Sequence, residues 1–274
     1  MTGIAIPERL KSIVTQRQAD VDKAKAKRSM GSLTGAIGEM AMTRGFSNAL
    51  LAHFFEKGKV GVIADIFGAS PLSKISRTRF DVMALSEDFR DAGATCVSAS
   101  PDRRLFRGSI ADLATAKAAN LPILTYDIVV DQYQILEARY AGADAVLLMT
   151  NVLGDKLGEY IARAQSVGLD SLVEVRNEVE IEAALAAGAE LVGVNNRDVE
   201  TLEADLTVCE RLIPMIPADR AIAVAVGGLA SPEDIERMAR AGAKAVRIGS
   251  ALMAAKEPYE ELHRLLGTTP PDDD

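Results

Sequence analysis

Three residues with acid–base side chains, Asp65, Tyr126 and Glu174, stand at or near the ends of short apolar, β-branched runs of the chain. A carboxylate among apolar neighbours has a raised pKa and is a stronger, less solvated base than one in water. Phe67, two residues after Asp65, can pack beside that base and stack on a flat substrate. These residue types predict a site that abstracts a proton from a small molecule, with Asp65 as the base and Glu174 as its rival.

Glycine and serine follow the last two of these runs, at Gly228, Gly249 and Ser250. Backbone N–H groups in such turns can point at an anion, especially where a helix begins directly afterwards. Tight turns from strand to helix use the same residues without any ligand, so both interpretations stay open. The first of them predicts that the site holds the phosphate group of a substrate.

The residues that carry chemistry need a scaffold, and the pattern of the chain predicts one. Eight β-branched runs alternate with amphipathic helical segments, which is typical of a parallel sheet. We predict strands at Val60–Ile66, Ala94–Ala99, Pro122–Tyr126, Ala145–Met149, Ser171–Val175, Leu191–Val194, Ala221–Val226 and Ala245–Ile248. Eight such units favour an α/β fold, a single (β/α)8 TIM barrel over residues 1–274, with catalytic groups at the C-terminal ends of its strands.

Extra helices precede the first strand and form an N-terminal extension over residues 1–58. Apolar residues recur with helical spacing over residues 7–30, and a second helical stretch covers Phe46–Lys57. The phrase Ala-Gly-Ala occurs four times, each time between a predicted helix and a strand, where a glycine suits the end of a helix. The four copies lie at residues 92–94, 141–143, 187–189 and 241–243. The tail, residues 268–274, is polar and is expected to fray.

Composition limits the partners that the chain can have. The net charge of −8 disfavours nucleic acid. No apolar run reaches the roughly 18 residues of a membrane span. Cys96 and Cys209 lie in apolar surroundings without metal-ligand spacing, as in a reduced cytoplasmic protein. No Gly-x-Gly-x-x-Gly follows the first strand. We expect a cytoplasmic monomer with a flat aromatic or phosphorylated small-molecule substrate, no cofactor and no metal.

Several motifs resemble the indole-3-glycerol-phosphate synthase family, in the order in which that family has them. They are Ala69-Ser70-Pro71, Asp131-Gln132-Tyr133-Gln134 with Glu137-Ala138-Arg139, Leu172-Val173-Glu174-Val175, and the run from Gly193 to Asp198. The resemblance covers nearly the whole chain, including the N-terminal helices. It implies a lyase of tryptophan biosynthesis that closes an indole ring and releases carbon dioxide and water. It also implies that Ser70 binds phosphate and that Glu174, Asn195 and Arg197 belong to the site.

The chain departs from that family where the family keeps its reactive side chains. Phe67 and Tyr126 replace two lysines, Asp65 and Val226 replace two glutamates, and Ile128 stands in place of a phenylalanine. In the family, the lysine that Tyr126 replaces is the general acid, and a tyrosine with a reference pKa of about 10 donates a proton only weakly. We therefore expect that this chain does not catalyse the family's ring closure and that its pocket is largely apolar.

Three functions remain open. The first is an engineered general-base catalyst, similar to designed Kemp eliminases built on barrels, in which Asp65, Glu174 or Tyr126 acts on a flat aromatic substrate. The alternative is an indole-3-glycerol-phosphate synthase of tryptophan biosynthesis with a rearranged site. The third is a protein that only binds a phosphorylated ligand. Turnover of a benzisoxazole, or of the anthranilate-derived ribulose phosphate that the family uses, distinguishes among the three.

Overall fold

Eight parallel strands close into a barrel in the computed structural model, which describes residues 4–73, 75–77 and 80–270. The strands are β1 (Gly61–Ile66), β2 (Cys96–Ala99), β3 (Ile123–Thr125), β4 (Ala145–Met149), β5 (Asp170–Val175), β6 (Leu191–Asn195), β7 (Ile222–Val226) and β8 (Ala245–Ile248). Strands adjacent in the chain pair with each other, and β8 pairs with β1 to complete the ring. The predicted (β/α)8 barrel is therefore confirmed.

Helices precede the barrel and surround it. They are α1 (Glu8–Lys27), α2 (Met30–Gly38), α3 (Phe46–Lys57), α4 (Val82–Asp91), α5 (Ile110–Ala116), α6 (Gln132–Tyr140), α7 (Thr150–Leu153), α8 (Leu157–Ser166), α9 (Glu178–Ala186), α10 (Thr207–Leu212), α11 (Pro232–Arg240), α12 (Ser250–Ala254) and α13 (Pro258–Leu266). Two short strands, Ala69–Ser70 and Ile75–Ser76, form a hairpin after β1. The sequence predicted α1 and α3 but neither α2 nor this hairpin.

The four Ala-Gly-Ala phrases end helices, as their positions predicted. Their glycines, Gly93, Gly142, Gly188 and Gly242, have φ angles from +85° to +106°. The alanine before each glycine is the C-terminal cap of α4, α6, α9 or α11. Side chains disfavour that backbone conformation, so the phrase marks the point where each of these helices turns back toward the next strand.

Apolar packing fills the barrel axis and closes its N-terminal end. Ile63, Leu124 and Leu172 belong to the cluster inside the barrel, and a second, larger cluster lies between the strands and the helices. Phe46 and Leu50 of α3 are fully buried and join the inner cluster. With that end filled by α3, a small molecule has access to the interior from the C-terminal ends of the strands.

The first helix, α1, packs against the loops at those C-terminal ends. Leu10 is fully buried in a cluster with Ile128, which follows β3, and Met149, which ends β4. The Arg9 guanidinium donates a hydrogen bond of 3.0 Å to the carbonyl oxygen of Glu200. The N-terminal extension thus forms part of the wall around the open end of the barrel.

A buried ion pair fastens α1 to two of these loops. Arg17 Nη2 lies 2.5 Å from Asp127 Oδ2, after β3, and Arg17 Nη1 lies 3.3 Å from Asp102 Oδ2, after β2. Gln134 Nε2 donates a further hydrogen bond to Asp127. Burial raises the pKa of Asp127, although Arg17 and Gln134 oppose that shift. The two buried carboxylates, Asp102 and Asp127, therefore pair with the same side chain of α1, Arg17.

Among the residues that the structure describes, no helix is long and apolar enough to cross a membrane. Both cysteines, Cys96 and Cys209, are buried free thiols, in agreement with the sequence-based interpretation. The expectation that the tail frays concerns residues 268–274, of which 271–274 lie outside the described residues.

Replacing Arg17 with leucine should lower the free energy of unfolding by roughly 3–5 kcal/mol, because Asp127 and Asp102 are then buried without a cation. Without Arg17, the pKa of Asp127 in the folded protein rises further above its unfolded value. The variant should therefore be most stable at low pH and should lose stability as the pH rises through that raised pKa. Urea unfolding of both proteins across pH measures the effect.

The control is Arg104→Leu, which removes a largely exposed partner of Asp20. Exposed pairs contribute about 0–1 kcal/mol, so this variant should stay close to the unmodified protein at every pH. Equal losses in the two variants would contradict a special role for the buried pair.

Candidate active site

A cavity of about 260 Å³ opens at the C-terminal ends of the strands. Parallel strands of a closed barrel all end on the same face, so residues far apart in the chain meet there. The twelve residues that the sequence singled out all line this cavity: Asp65, Phe67, Ser70, Tyr126, Ile128, Glu174, Asn195, Arg197, Val226, Gly228, Gly249 and Ser250. The structure brings them together, and their chemical roles stay predictions.

Asp65, near the end of β1, is held by two polar groups. Its Oδ1 accepts a hydrogen bond of 2.5 Å from the Ser98 hydroxyl, which lies directly opposite on β2. The same oxygen accepts a hydrogen bond of 2.8 Å from Arg247 Nε. The sequence-based expectation that Asp65 lies among apolar neighbours is therefore wrong, and its strongest partner is a cation.

Arg247 on β8 is a charged residue of the cavity that the sequence reasoning missed. Its side chain is 3% exposed, lies inside the barrel, and lines the cavity. Its guanidinium stands 4.1 Å from the centre of the Tyr126 ring, and its Nη1 lies 3.6 Å from Glu174 Oε2. Burial lowers the pKa of Arg247, but the nearby Asp65, Tyr126 and Glu174 outweigh it and hold that pKa above its usual range. One signal could have revealed this residue, a lone charge in the apolar run Ala245–Ile248.

Glu174, near the end of β5, differs from Asp65 in its partners. Its Oε1 accepts a hydrogen bond of 2.9 Å from Asn195 Nδ2, whereas Arg247 is more distant from its other oxygen. Burial raises the pKa of Glu174, and Arg247 and Asn195 compensate only in part. Burial therefore favours the protonated form of Glu174.

Aromatic and aliphatic side chains form the wall beside these charges. The Tyr126 ring contacts Phe67 edge-on, with 6.2 Å between ring centres, and stacks at a tilt on Phe106 at 4.7 Å. Ile128 and Val226 are both buried. Burial raises the pKa of Tyr126, and this makes its hydroxyl a still weaker proton donor. The wall is suited to a flat ring, while proton transfer is left to other groups.

The same cavity contains the residues predicted to bind phosphate. Gly228, Gly249 and Ser250 follow β7 and β8, and Ser70 belongs to the hairpin after β1. A Cβ on Gly249 would stand 2.6 Å from Asp65 Oδ2, so no side chain fits there. The Ser73 hydroxyl is buried without a hydrogen-bond partner among the described residues, and Ser73 also lines the cavity. Binding of an anion by these residues stays a prediction.

Two basic side chains line the cavity among the described residues, Arg197 and Arg247. Arg197 follows β6, and its Nη1 donates to the carbonyl oxygen of Leu202. Burial lowers the pKa of Arg197. Its backbone N–H donates to Asn195 Oδ1, so the loop that carries Arg197 is tied to the side chain that orients Glu174. Within residues 4–73, 75–77 and 80–270, no group of three or more His, Cys, Asp or Glu side chains is arranged to hold a metal ion.

The chain matches a family model described as indole-3-glycerol phosphate synthase over residues 10–265. The matched segment runs from α1 into α13 and so includes the N-terminal helices as well as the barrel. The family match therefore concerns the whole scaffold and not only the strand-end motifs.

Curated relatives named indole-3-glycerol phosphate synthase are similar over most of their length. The protein of Caldanaerobacter subterraneus subsp. tengcongensis is 38% identical over 250 residues, which are 90% of this chain and 94% of the relative. The protein of Bordetella pertussis is 37% identical over 259 residues, which are 94% of this chain and 98% of the relative. These names support the second function considered from the sequence better than an engineered eliminase.

Solved structures with low sequence identity share the fold. Thiamine phosphate pyrophosphorylase from Pyrococcus furiosus is 15% identical with a TM-score of 0.57, over 76% of this chain and 94% of that one. A 3-hexulose-6-phosphate synthase from Salmonella typhimurium is 16% identical with a TM-score of 0.61, over 75% of this chain and 96% of that one. At this identity the likeness concerns the barrel alone.

Replacing Gly249 with alanine should lower the free energy of unfolding by about 1–3 kcal/mol, because the added Cβ meets the Asp65 carboxylate in a filled space. Urea unfolding measures the loss. Gly35→Ala is the control, since nothing lies within 4 Å of the added atom and alanine favours a helix such as α2. A Gly249→Ala protein as stable as Gly35→Ala would show that Asp65 is not fixed in this position.

Proposed function

The chain belongs to the indole-3-glycerol phosphate synthase family, and on that basis we propose that it is a lyase acting on a phosphorylated arylamino sugar. The reaction closes an indole ring with loss of carbon dioxide and water. One observation carries the proposal: Glu174, Asn195 and Arg197 retain the family's residue types and face the same cavity as the predicted phosphate-binding residues. A site that had lost its substrate would have no need of this arrangement.

Binding follows from the two chemically different parts of the cavity. The phosphate group lies against Ser70, Gly249 and Ser250, where small residues and backbone N–H groups favour an anion. The aromatic ring lies along Phe67 and Tyr126, whose rings already form an edge-to-face pair. The reacting carbonyl group of the sugar then falls between the two ends, beside the polar side chains of the barrel.

Proton transfer is the task of Glu174 in this proposal. Ring closure joins an aromatic carbon to the carbonyl carbon, and the carbonyl oxygen must receive a proton before it can leave as water. Glu174 has a raised pKa because it is buried, and Asn195 fixes its orientation. A buried carboxyl group with a raised pKa can donate a proton where the family uses a lysine.

The sequence-based expectation that ring closure is abolished rested on Phe67, Tyr126 and Val226, which stand where the family has side chains that transfer protons. Phe67, Tyr126 and Val226 cannot supply positive charge, but Arg247 brings a guanidinium into the same cavity. Because a guanidinium is present, that expectation no longer follows. The loss of two lysines still favours a slower enzyme than its relatives.

Base-catalysed elimination from a flat aromatic molecule has weaker support. The proposed base, Asp65, already accepts hydrogen bonds from Ser98 and Arg247 on one oxygen, so it serves to hold Arg247 in place. Glu174 would have to take that role instead. The assay below therefore includes a benzisoxazole as a second substrate, to test for elimination.

Incubating the protein with the anthranilate-derived ribulose phosphate should give an indole product, which fluorescence detects. Glu174→Gln should reduce kcat by about 100-fold or more, the contribution expected of a general acid. The matched control is Glu182→Gln, an exposed change on α9 that should leave kcat unaltered. Turnover of a benzisoxazole without turnover of the sugar phosphate would favour elimination and refute ring closure.

The pH dependence of kcat should show which form of Glu174 is active. Burial raises its pKa above the ordinary value of 4.5, so the protonated donor persists to higher pH than in a free glutamate. If Glu174 donates the proton, kcat should be highest below that raised pKa and should fall as the pH rises through it. Glu174→Gln should remove this dependence. A kcat that instead increases across the same range would identify Glu174 as a base.

A further inference from the structure

The position of Arg247 is not explained by stability. An arginine inside a barrel loses its hydration, and a buried ion pair seldom stabilises a protein more than apolar side chains of the same volume. The neighbouring strand residues Ala245, Val246 and Ile248 are all buried and apolar, so an aliphatic residue is suited to this position. A charged side chain that is buried beside a cavity despite its loss of hydration is a candidate for a functional role.

Three contacts fix the guanidinium in one orientation. Nε donates to Asp65, the plane lies over the Tyr126 ring, and Nη1 approaches Glu174 at 3.6 Å. Asp65 is itself held by Ser98 from the adjacent strand. A guanidinium has several N–H donors, and the bond to Asp65 uses one of them. The group is thus preorganised at the cavity surface, as electrostatic catalysis requires.

Resting on the proposed function, we propose that Arg247 is a catalytic residue that stabilises the oxyanion formed on the substrate carbonyl during ring closure. As the new carbon–carbon bond forms, the π electrons of the carbonyl move to its oxygen. The guanidinium binds the resulting negative charge without giving up a proton. Glu174 then gives this oxygen a proton to form a hydroxyl, and carbon dioxide leaves while the electrons of its bond return to the aromatic ring. The hydroxyl finally leaves as water together with a hydrogen of the neighbouring ring carbon, which completes the indole.

This assignment divides one task between two side chains. A lysine ammonium supplies positive charge and a proton from the same atom. Arg247 keeps its proton, because nearby negative groups hold its pKa above the usual range. Glu174 has a proton to give but no positive charge. The two groups are adjacent, and the pair can do together what a single lysine does.

Binding of the substrate's carboxylate is the competing role for Arg247. A guanidinium beside the cavity can bind a carboxylate as well as an oxyanion. A role in binding lowers KM alone, whereas a role in the transition state appears in kcat. The two parameters therefore separate these roles.

The test compares Arg247→Leu, Arg247→Lys and Arg247→Ala in the full chain, with the anthranilate-derived ribulose phosphate as substrate. Arg247→Leu should reduce kcat by about 100- to 1000-fold, the range seen when one oxyanion donor is lost, with KM little changed. Arg247→Lys should retain part of kcat because it keeps the charge. Millimolar guanidinium should restore activity to Arg247→Ala, and equal sodium chloride should not.

Arg44→Leu is the matched control. It removes a partly buried arginine that pairs with Asp144, which directly precedes β4 at the closed end of the barrel. That variant should keep kcat even if its melting temperature falls. If Arg247→Leu or Arg247→Ala does not fold, Arg247→Lys decides alone, because it preserves a buried cation beside Asp65.

The outcomes are distinct. An unchanged kcat in a folded Arg247 variant, or a change confined to KM, overturns the catalytic assignment and leaves the proposed function standing. Full activity in Arg247→Lys together with failed guanidinium rescue also overturns it. No indole product from the unmodified protein overturns both proposals.

Discussion

The ion pair between Arg247 and Asp65 is the constraint on which the rest of the site depends. Both side chains lie inside a closed barrel, where an unpaired charge is strongly disfavoured. Ser98 must therefore present its hydroxyl to Asp65, and Gly249 must lack a side chain because a Cβ would meet the same carboxylate. Glu174 completes the group from the other side of the guanidinium. Side chains from β1, β2, β5 and β8 are thus linked at this face through the guanidinium of Arg247.

The same cation makes two carboxyl groups chemically unequal. Asp65 lies 2.8 Å from Arg247 and receives a second hydrogen bond on the same oxygen, so it is fixed as a partner. Glu174 lies 3.6 Å away, accepts a bond from a neutral amide, and has a raised pKa through burial. A difference of less than an ångström, together with the nature of the second partner, thus gives the two carboxyl groups different surroundings.

Periodicity and turn residues were sufficient to predict the barrel, because strands and helices depend on local patterns that one sequence displays. The ends of β4 and β8 were predicted without error, and the Ala-Gly-Ala phrases marked the ends of four helices. The composition of the cavity was predicted only in part. Arg247 escaped notice because none of the motifs that carry the family resemblance includes it, although it stands one residue before the end of its strand, as Asp65 and Glu174 do. The partners of Asp65 could not be predicted, since they depend on which strands become neighbours when the barrel closes.

Closure of the barrel also explains how family membership is compatible with an altered reactive centre. Paired residues on neighbouring parallel strands point to the same side of the sheet, and Arg247 on β8 pairs with Val226 on β7, which in turn pairs with Asn195 on β6. A side chain that leaves one strand can be replaced by a side chain of similar charge from another strand, because both reach the same small volume. When each strand motif is compared separately with the family, such an exchange looks like the loss of a charged side chain. The chemistry of a barrel site depends on the set of groups in that volume, and the strand that carries each group is of secondary importance.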